Sequence, residues 1–292
     1  MNKKFKNILL LYKRSAYKIY FLDPQKPLTN SKSDFIKKEF ARFKESHDEH
    51  YAALREVSRV LYSHGVRFTE CYRGKNIDYS PYDLVITVGG DGTFLEAVRR
   101  VKNQVIIGVN SAPEYSVGRL CIATSKNFGK ILSKILAGDF KIVNLHRIQV
   151  QFSKNQKPVN ALNDVLICHQ NPAMLCRYYA QIGRIKEEQR SSGVWISTAV
   201  GSSGAIKSAG GKVLPQFDKR MQYMPRELYQ GKLTRYKLRG GVLGSSDSVK
   251  VVSLMRRGMV YIDGAHQRVG FEYGDAIQIK LSPNPVKTIL IT

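Results

Sequence analysis

The fold is decided by one stretch of the chain, Asp83-Leu84-Val85-Ile86-Thr87-Val88-Gly89-Gly90-Asp91-Gly92-Thr93, in which an apolar run of strand length leads directly into a glycine turn. Apolar residues at helical spacing follow the turn and predict a helix over 93–101. A second apolar run predicts a strand over 105–109. A strand, a helix and a strand in this order are typical of an α/β domain with a parallel sheet.

The residues before this stretch fit the same kind of domain. An apolar run over 7–12 predicts another strand covered on both faces. Helical periodicity over 33–64 predicts a long helix, with Gly65 placed to end it in the left-handed conformation. His47, His50 and His64 lie on this helix beside acidic neighbours, and we interpret them as solvated helix residues rather than metal ligands.

The pattern changes after about residue 143, where apolar and polar residues begin to alternate. Short strands are expected over 147–152, 161–167, 178–182, 194–198, 249–254, 260–263 and 277–281. The stretch 226–248 has the least pattern. The sequence therefore predicts an α/β first part and a β-rich second part, without tandem repeats.

The composition limits the class of protein. The chain has 292 residues, 43% of them apolar, and a formal net charge of +24. This charge favours anionic partners such as nucleic acid, an anionic membrane or phosphorylated small molecules. The four cysteines are dispersed, without the paired spacing of a zinc site, and fit a reducing compartment. There is neither an apolar run of membrane-spanning length nor a signal-peptide core, so we expect a cytoplasmic protein.

The glycine turn is a candidate phosphate site. Glycines let the backbone approach a ligand, and the free N–H groups at the start of a helix favour phosphate. Asp91 would then be a carboxylate held beside phosphates, which suits handling a proton or a metal ion during phosphoryl transfer. The alternative is a plain Asp-Gly turn between strand and helix.

Two further segments have candidate binding residues. Small and hydroxylated residues fill 197–211, which suits a nucleotide and its ribose but equally a flexible surface loop. Asn163 and Asp164 interrupt an apolar run, so they need polar partners. They could belong to a buried network or hold paired ribose hydroxyls.

Taken together, these segments resemble the motifs of the NAD kinase family. Gly89-Gly90-Asp91-Gly92-Thr93 is similar to the family's GGDGT motif, and Asn163-Asp164 to its NE/D pair. Gly201-Ser202-Ser203 through Ser208-Ala209-Gly210-Gly211 is similar to its glycine-rich segment. Asp263-Gly264 and Gly274-Asp275-Ala276-Ile277 are similar to its closing elements.

The resemblance implies an ATP-dependent kinase that transfers the γ-phosphoryl group to the adenosine-ribose 2′-hydroxyl of NAD, forming NADP. It implies Mg²⁺ bound with ATP, without a tightly bound protein metal, and a homo-oligomer, dimer or tetramer. The implied fold is a Rossmann-like N-terminal domain over 1–142, joined by 271–292. A β-rich domain over 143–270 would bind the dinucleotide and contact other subunits.

The resemblance also implies roles for individual residues. Asp91 would be the catalytic carboxylate. The nucleotide-binding residues would be Gly89, Gly90, Gly92, Thr93, Asn110, Asn163, Asp164, Arg190, Ser203, Gly204, Ala205 and Ser208. Arg190 could face a phosphate or remain a solvated loop arginine.

The chain departs from the family pattern at two positions. Ala205 stands where the family often has Tyr, and Ser192 where it often has Asp. Both familiar positions contact the nicotinamide half of the dinucleotide, so a stacking ring and a carboxylate are missing there.

Two other functions would fit part of this pattern. A diacylglycerol-type lipid kinase would share the GGDGT-like loop but would not require Asn163-Asp164 or the segment ending at Gly211. A basic nucleic-acid-binding protein would fit the net charge, but the sequence lacks the clustered basic stripe and any recognisable nucleic-acid-binding motif. Neither a nucleic acid nor a membrane is therefore expected as a partner.

Overall fold

The computed structural model describes residues 5–22, 34–153, 157–231 and 235–292. The chain divides into two compact units. Unit 1 comprises Met1–Val143 together with Val286–Thr292, and unit 2 comprises Asn144–Pro285.

Unit 1 is an α/β domain built on a largely parallel sheet. Its elements are β1 (Ile8–Tyr12), α1 (Ala16–Phe21), α2 (Asp34–Ser63), β2 (Phe68–Tyr72), β3 (Leu84–Gly89), α3 (Asp91–Val98), β4 (Val105–Asn110), β5 (Cys121–Thr124), α4 (Phe128–Ala137), β6 (Phe140–Leu145), which crosses the unit boundary, and the C-terminal strand β19 (Val286–Ile291). The strand order in the described residues is β2-β1-β3-β4-β19-β6, with β5 paired to β4.

The apolar runs explain the centre of this sheet. Every residue of β3 and β4 is buried, as are the first four residues of β1. Strands covered on both faces need such continuous apolar runs rather than alternation. The predicted strand, helix and strand around the glycine turn are confirmed, although α3 ends at Val98 instead of residue 101.

The order of the strands fixes where a ligand can bind. The chain leaves β1 towards β2 on one side, whereas it leaves β3 towards β4 on the other. Parallel sheets bind ligands beyond the carboxyl ends of the strands at such a reversal. The glycine turn, which follows β3, lies at this edge.

The long helix is confirmed, and Gly65 takes the left-handed conformation after its end, with φ +66°. The interpretation of His50 as a solvated residue is wrong. Its side chain is fully buried, because the helix packs against the sheet of unit 1 and two polar groups meet the ring.

Unit 2 contains two packed sheets. Its elements are β7 (Ile148–Phe152), β8 (Val159–Ala161), β9 (Asp164–His169), β10 (Cys176–Ile182), β11 (Ile185–Ser191), β12 (Gly193–Thr198), a 3-10 turn (Gly201–Ser203), α5 (Ala205–Ser208), β13 (Met221–Arg226), β14 (Gly241–Leu243), β15 (Ser248–Ser253), β16 (Gly258–Ile262), β17 (Gln267–Phe271) and β18 (Ala276–Leu281). Among the described residues, the sheet orders are β11-β10-β15-β18-β7-β8 and β14-β13-β12-β9-β16-β17. One apolar core joins inward residues of both sheets, among them Val150, Tyr178, Ile196 and Val260.

Unit 2 differs from expectation in two places. The strand expected over 161–167 is broken, since β8 ends at Ala161 and β9 begins at Asp164 in the other sheet. The resemblance implies that the chain returns to the first domain at residue 271. Instead β18 pairs within unit 2, and the chain returns to unit 1 at Val286. Among the residues described, no helix combines the length and the apolar character that a membrane crossing requires.

Candidate functional site

The glycine turn in unit 1 is shaped by a close approach. Gly90 caps α3 with its backbone extended, and its carbonyl accepts the N–H of Thr93 at 2.9 Å. A Cβ at Gly89 would collide with the Thr93 hydroxyl, so only glycine fits there. That hydroxyl is buried and has no hydrogen-bond partner in the part of the chain described. The turn therefore presents backbone N–H groups with little side-chain obstruction.

Asp91 is held in one orientation by the loop that follows β4. Its Oδ1 accepts the N–H of Leu120 at 2.8 Å, and its Oδ2 accepts the N–H of Arg119 at 3.1 Å. The carboxylate also stands in the first turn of α3, where the helix dipole favours a negative charge. Each oxygen keeps a further lone pair for a ligand proton.

Asn110, a predicted nucleotide contact, organises this loop instead of projecting from it. It is buried, and its Nδ2 donates to the Ser116 carbonyl at 2.8 Å. Its Oδ1 accepts the Ser116 hydroxyl at 3.0 Å and the Ala112 N–H at 3.2 Å. Gly118 has φ +59°, and a Cβ there would collide with the Asn110 amide. Asn110 thus supports the loop that holds Asp91.

Three residues at the same edge of the sheet were not predicted from the sequence. Lys13 and Arg73 directly follow β1 and β2, and His50 lies beneath them. Burial lowers the pKa of His50 to about 4, so the ring is neutral at neutral pH. Its Nε2 donates to the Lys13 carbonyl at 2.9 Å, and its Nδ1 accepts the Ser111 hydroxyl at 2.8 Å. The two cations could have been predicted as ligand contacts, because both come directly after strands of a parallel sheet.

In unit 2, the Asn163-Asp164 pair sits at the break between β8 and β9. The carboxylate of Asp263 accepts the N–H groups of Leu162 and Asn163 at 2.8 and 2.7 Å, and that of Asp164 at 3.3 Å. The backbone of this pair therefore belongs to a buried hydrogen-bond network, which is one of the two interpretations given for it above. The side chains of Asn163 and Asp164 make no hydrogen bond within the described residues.

The Asp164 carboxyl has an unusual affinity for its proton. Burial, and next the nearby Asp263 carboxylate, raise the pKa of Asp164 from its ordinary 3.8 to about 7. Burial disfavours the charged form, and a second negative charge adds to this. Such a strongly shifted group is a candidate for function as well as a feature of the fold.

The segment after β12 divides into buried and exposed serines. Ser202 is buried, donates to the Ala199 carbonyl at 2.6 Å and accepts the Leu214 N–H at 2.9 Å. Gly201 lies against the Asn163 backbone so closely that a Cβ would collide with it. The more accessible residues of this segment are those predicted as contacts, namely Ser203, Gly204, Ala205 and Ser208. The structure thus brings this loop next to Asn163.

Arg190 lies apart from this group. It is exposed in β11, with its Nε 3.7 Å from Glu188, and it precedes the start of β12, whereas Ser203 and Ser208 follow its end. The first and last of the six residues of β12 lie roughly 17 Å apart, since five steps of about 3.3 Å separate them. Ser192 lies at the Arg190 end and Ala205 at the other. Within one chain, Ser192 and Ala205 therefore lie too far apart to contact the same nicotinamide.

A cavity at the opposite edge of the sheet in unit 1 is not this site. It has a volume of about 860 Å³ and lies at the amino ends of β3, β4 and β19, lined by residues such as Tyr79, Asp83 and Lys287. None of the predicted site residues lines it.

Comparison with known proteins gives a consistent result. Residues 11–140 match the family model of the ATP-NAD kinase N-terminal domain. A probable NADH kinase of Oryza sativa subsp. japonica is 35% identical over 230 residues, which cover 71% of each chain. An NAD kinase of Caldicellulosiruptor saccharolyticus is 30% identical, covering 74% of this chain and 79% of its own. The crystal structure of an Archaeoglobus fulgidus NAD kinase in complex with ATP has a TM-score of 0.69 at 20% identity and covers 97% and 92% of the two chains.

Proposed function

The chain belongs to the NAD kinase family, and from that premise we propose which residues carry out each part of its reaction. The protein is an ATP-dependent kinase that phosphorylates NAD to NADP. This membership leaves the lipid-kinase and nucleic-acid alternatives without support.

Asp91 is the residue we assign to the acceptor hydroxyl. The observation that carries this proposal is the carboxylate held by the N–H groups of Arg119 and Leu120 at the start of α3. A carboxylate fixed in this way can accept the proton of the adenosine-ribose 2′-hydroxyl as its oxygen bonds to the γ-phosphorus and ADP leaves. Gly89, Gly90, Gly92 and Thr93 form the turn that receives the phosphates of ATP.

The dinucleotide is assigned to the residues that unit 2 leaves accessible. Asn163 and Asp164 supply an amide and a carboxyl for the ribose hydroxyls, with Ser203, Gly204, Ala205 and Ser208 beside them. Support comes from the side chains of Asn163 and Asp164, which have no hydrogen-bond partners of their own in the described residues, and from the contact of Gly201 with Asn163. Arg190 stays a proposed phosphate contact, now from the opposite end of β12.

The acceptor need not be NAD alone. One relative is named a probable NADH kinase and another an NAD kinase. NAD and NADH differ only at the nicotinamide, and Ala205 offers no ring to stack against it. We therefore propose that both forms are accepted, because binding through the adenosine half discriminates little between them.

Mg²⁺ is proposed to arrive with ATP. No group of three or more His, Cys, Asp or Glu side chains in the described residues could hold a metal ion. Mg²⁺ commonly binds substrate phosphates and water with only one or two carboxylates, and Asp91 provides one at the turn. The ion would neutralise charge on the transferred phosphates.

The assembly and the compartment are proposals as well. Family resemblance supports a homo-oligomer paired through unit 2. The free thiols of Cys71, Cys121, Cys168 and Cys176 support a reducing compartment, and we propose the cytoplasm. Light scattering of the purified protein measures the subunit number directly.

The experiment that tests the function supplies purified protein with ATP, Mg²⁺ and either NAD or NADH. We expect NADP or NADPH to form in step with ADP. Phosphorylation of diacylglycerol vesicles without any NADP would instead favour a lipid kinase.

A further inference from the structure

Two cationic residues lie side by side at the edge of the sheet that carries the glycine turn. In the parallel pairing of β1 with β2, Tyr12 lies opposite Tyr72, and the Arg73 N–H donates to the Tyr12 carbonyl at 2.9 Å. Lys13 and Arg73 are therefore the next residues of neighbouring strands. On its other side, β1 pairs with β3 so that Tyr12 faces Val88. Lys13, the residue after Tyr12, therefore lies beside Gly89, the residue after Val88.

The Arg73 side chain reaches the turn itself. A Cβ placed on Gly92 would lie 3.9 Å from Nη1 of Arg73. Both Lys13 and Arg73 are partly buried, and neither side chain forms an ion pair or hydrogen bond with another described residue. By contrast Arg14, which follows Lys13, is exposed and stacks on the Tyr72 ring at 4.6 Å.

This arrangement is unfavourable unless an anion is present. Removing two cations from water costs free energy that only an opposite charge offsets. Burial, and next the Arg73 guanidinium, lower the pKa of Lys13, which shows that the two charges act on each other. No described carboxylate forms an ion pair with either cation. The cations, the bare glycine turn and the N–H groups of α3 together favour a polyanion.

We infer that Lys13 and Arg73 bind the triphosphate of ATP and position it on the glycine turn. This inference rests on the proposed function, and it names donor-binding residues outside the motifs of the resemblance. Arg73 offers a planar pair of donors to phosphate oxygens, whereas Lys13 supplies a point charge. His50 fixes the backbone at Lys13 through the Lys13 carbonyl and is a positioning residue.

The test compares Arg73→Gln and Lys13→Met with Arg14→Gln, which removes the same charge from the neighbouring exposed position. The dissociation constants of ATP, ADP and AMP are measured by calorimetry, together with kcat and KM for ATP and NAD. We expect Arg73→Gln and Lys13→Met each to weaken ATP at least tenfold and AMP less than twofold. The KM for NAD should stay within twofold, and Arg14→Gln should match the wild type. Arg73→Lys should recover part of the ATP affinity.

Two results would overturn the inference. One is ATP binding within twofold of wild type in Arg73→Gln, which remains decisive if Lys13→Met fails to fold. The other is equal weakening of ATP and AMP, which would indicate a structural role. A wild-type protein that forms no NADP would instead refute the proposed function, while the ATP, ADP and AMP series would still decide the role of the two cations.

Discussion

Replacing Asp164 by Asn should change how the stability of unit 2 depends on pH. The Asp164 pKa is 3.8 in an unfolded chain and about 7 in the folded one. Between these values the folded protein keeps a proton that the unfolded chain has lost. The contribution of Asp164 to the free energy of unfolding should therefore fall as the pH rises from about 4 to about 7, and then stay level.

The magnitude follows from the shift. A difference of about three pKa units, at about 1.4 kcal/mol each, corresponds to about 4 kcal/mol for a fully shielded carboxyl. Asp164 is partly exposed, so screening by solvent lowers this to about 2 to 3 kcal/mol. Asn has nearly the same shape and does not ionise. At pH 8 the variant should be more stable than the wild type by this amount, and at pH 4 nearly equal to it.

The assay is urea unfolding followed by tryptophan fluorescence. Trp195 is the single tryptophan of the chain and lies in β12, the strand that pairs with β9 at Asp164, so it reports on the relevant sheet. Taking the difference between variant and wild type at each pH cancels the other titrating groups. Asp78→Asn is the control, since Asp78 is exposed in unit 1 and hydrogen bonds from Ser80 lower its pKa. Parallel curves for Asp164→Asn and wild type from pH 4 to 8 would show that folding does not raise the pKa of Asp164.

Three further predictions concern the ligands. Asp164→Ala should weaken NAD binding by roughly 1.5 to 3 kcal/mol and leave ATP unchanged in calorimetry; equal weakening of both would point to a structural role. Gly201→Ala should also weaken NAD more than ATP, because its Cβ must displace the Asn163 backbone; unchanged NAD binding would contradict this contact. The wild-type ratio of kcat/KM for NAD to that for NADH should lie within about a hundredfold, roughly 2.7 kcal/mol, and Ala205→Tyr should sharpen it. A larger wild-type ratio would mean that other residues recognise the nicotinamide.

Local patterns were sufficient for the centre of unit 1. Strands β1, β3 and β4 are continuous apolar runs, because each is buried on both faces. Strand β11 was missed, since an edge strand with one partner can be as polar as Ile-Lys-Glu-Glu-Gln-Arg-Ser. Strand β14 has only three residues and lies in the stretch with the least pattern.

Distant contacts explain what the sequence could not show about the site. The break before Asp164 depends on Asp263, about a hundred residues further along the chain. Lys13 and Arg73 become neighbours only through the parallel pairing of their strands. The burial of His50 likewise depends on Ser111 and the Lys13 backbone. The motif residues could be chosen from the sequence, but their supporting partners could not.

The turnover of Asp91→Asn directly tests whether Asp91 accepts the proton of the acceptor hydroxyl. An amide keeps the shape of the side chain but cannot accept that proton. The variant should bind NAD and ATP as the wild type does, while kcat for NADP formation falls by a factor of order 10² or more. Asp78→Asn, measured alongside, should keep full activity. A kcat for Asp91→Asn within about threefold of wild type, with binding unchanged, would contradict this role of Asp91.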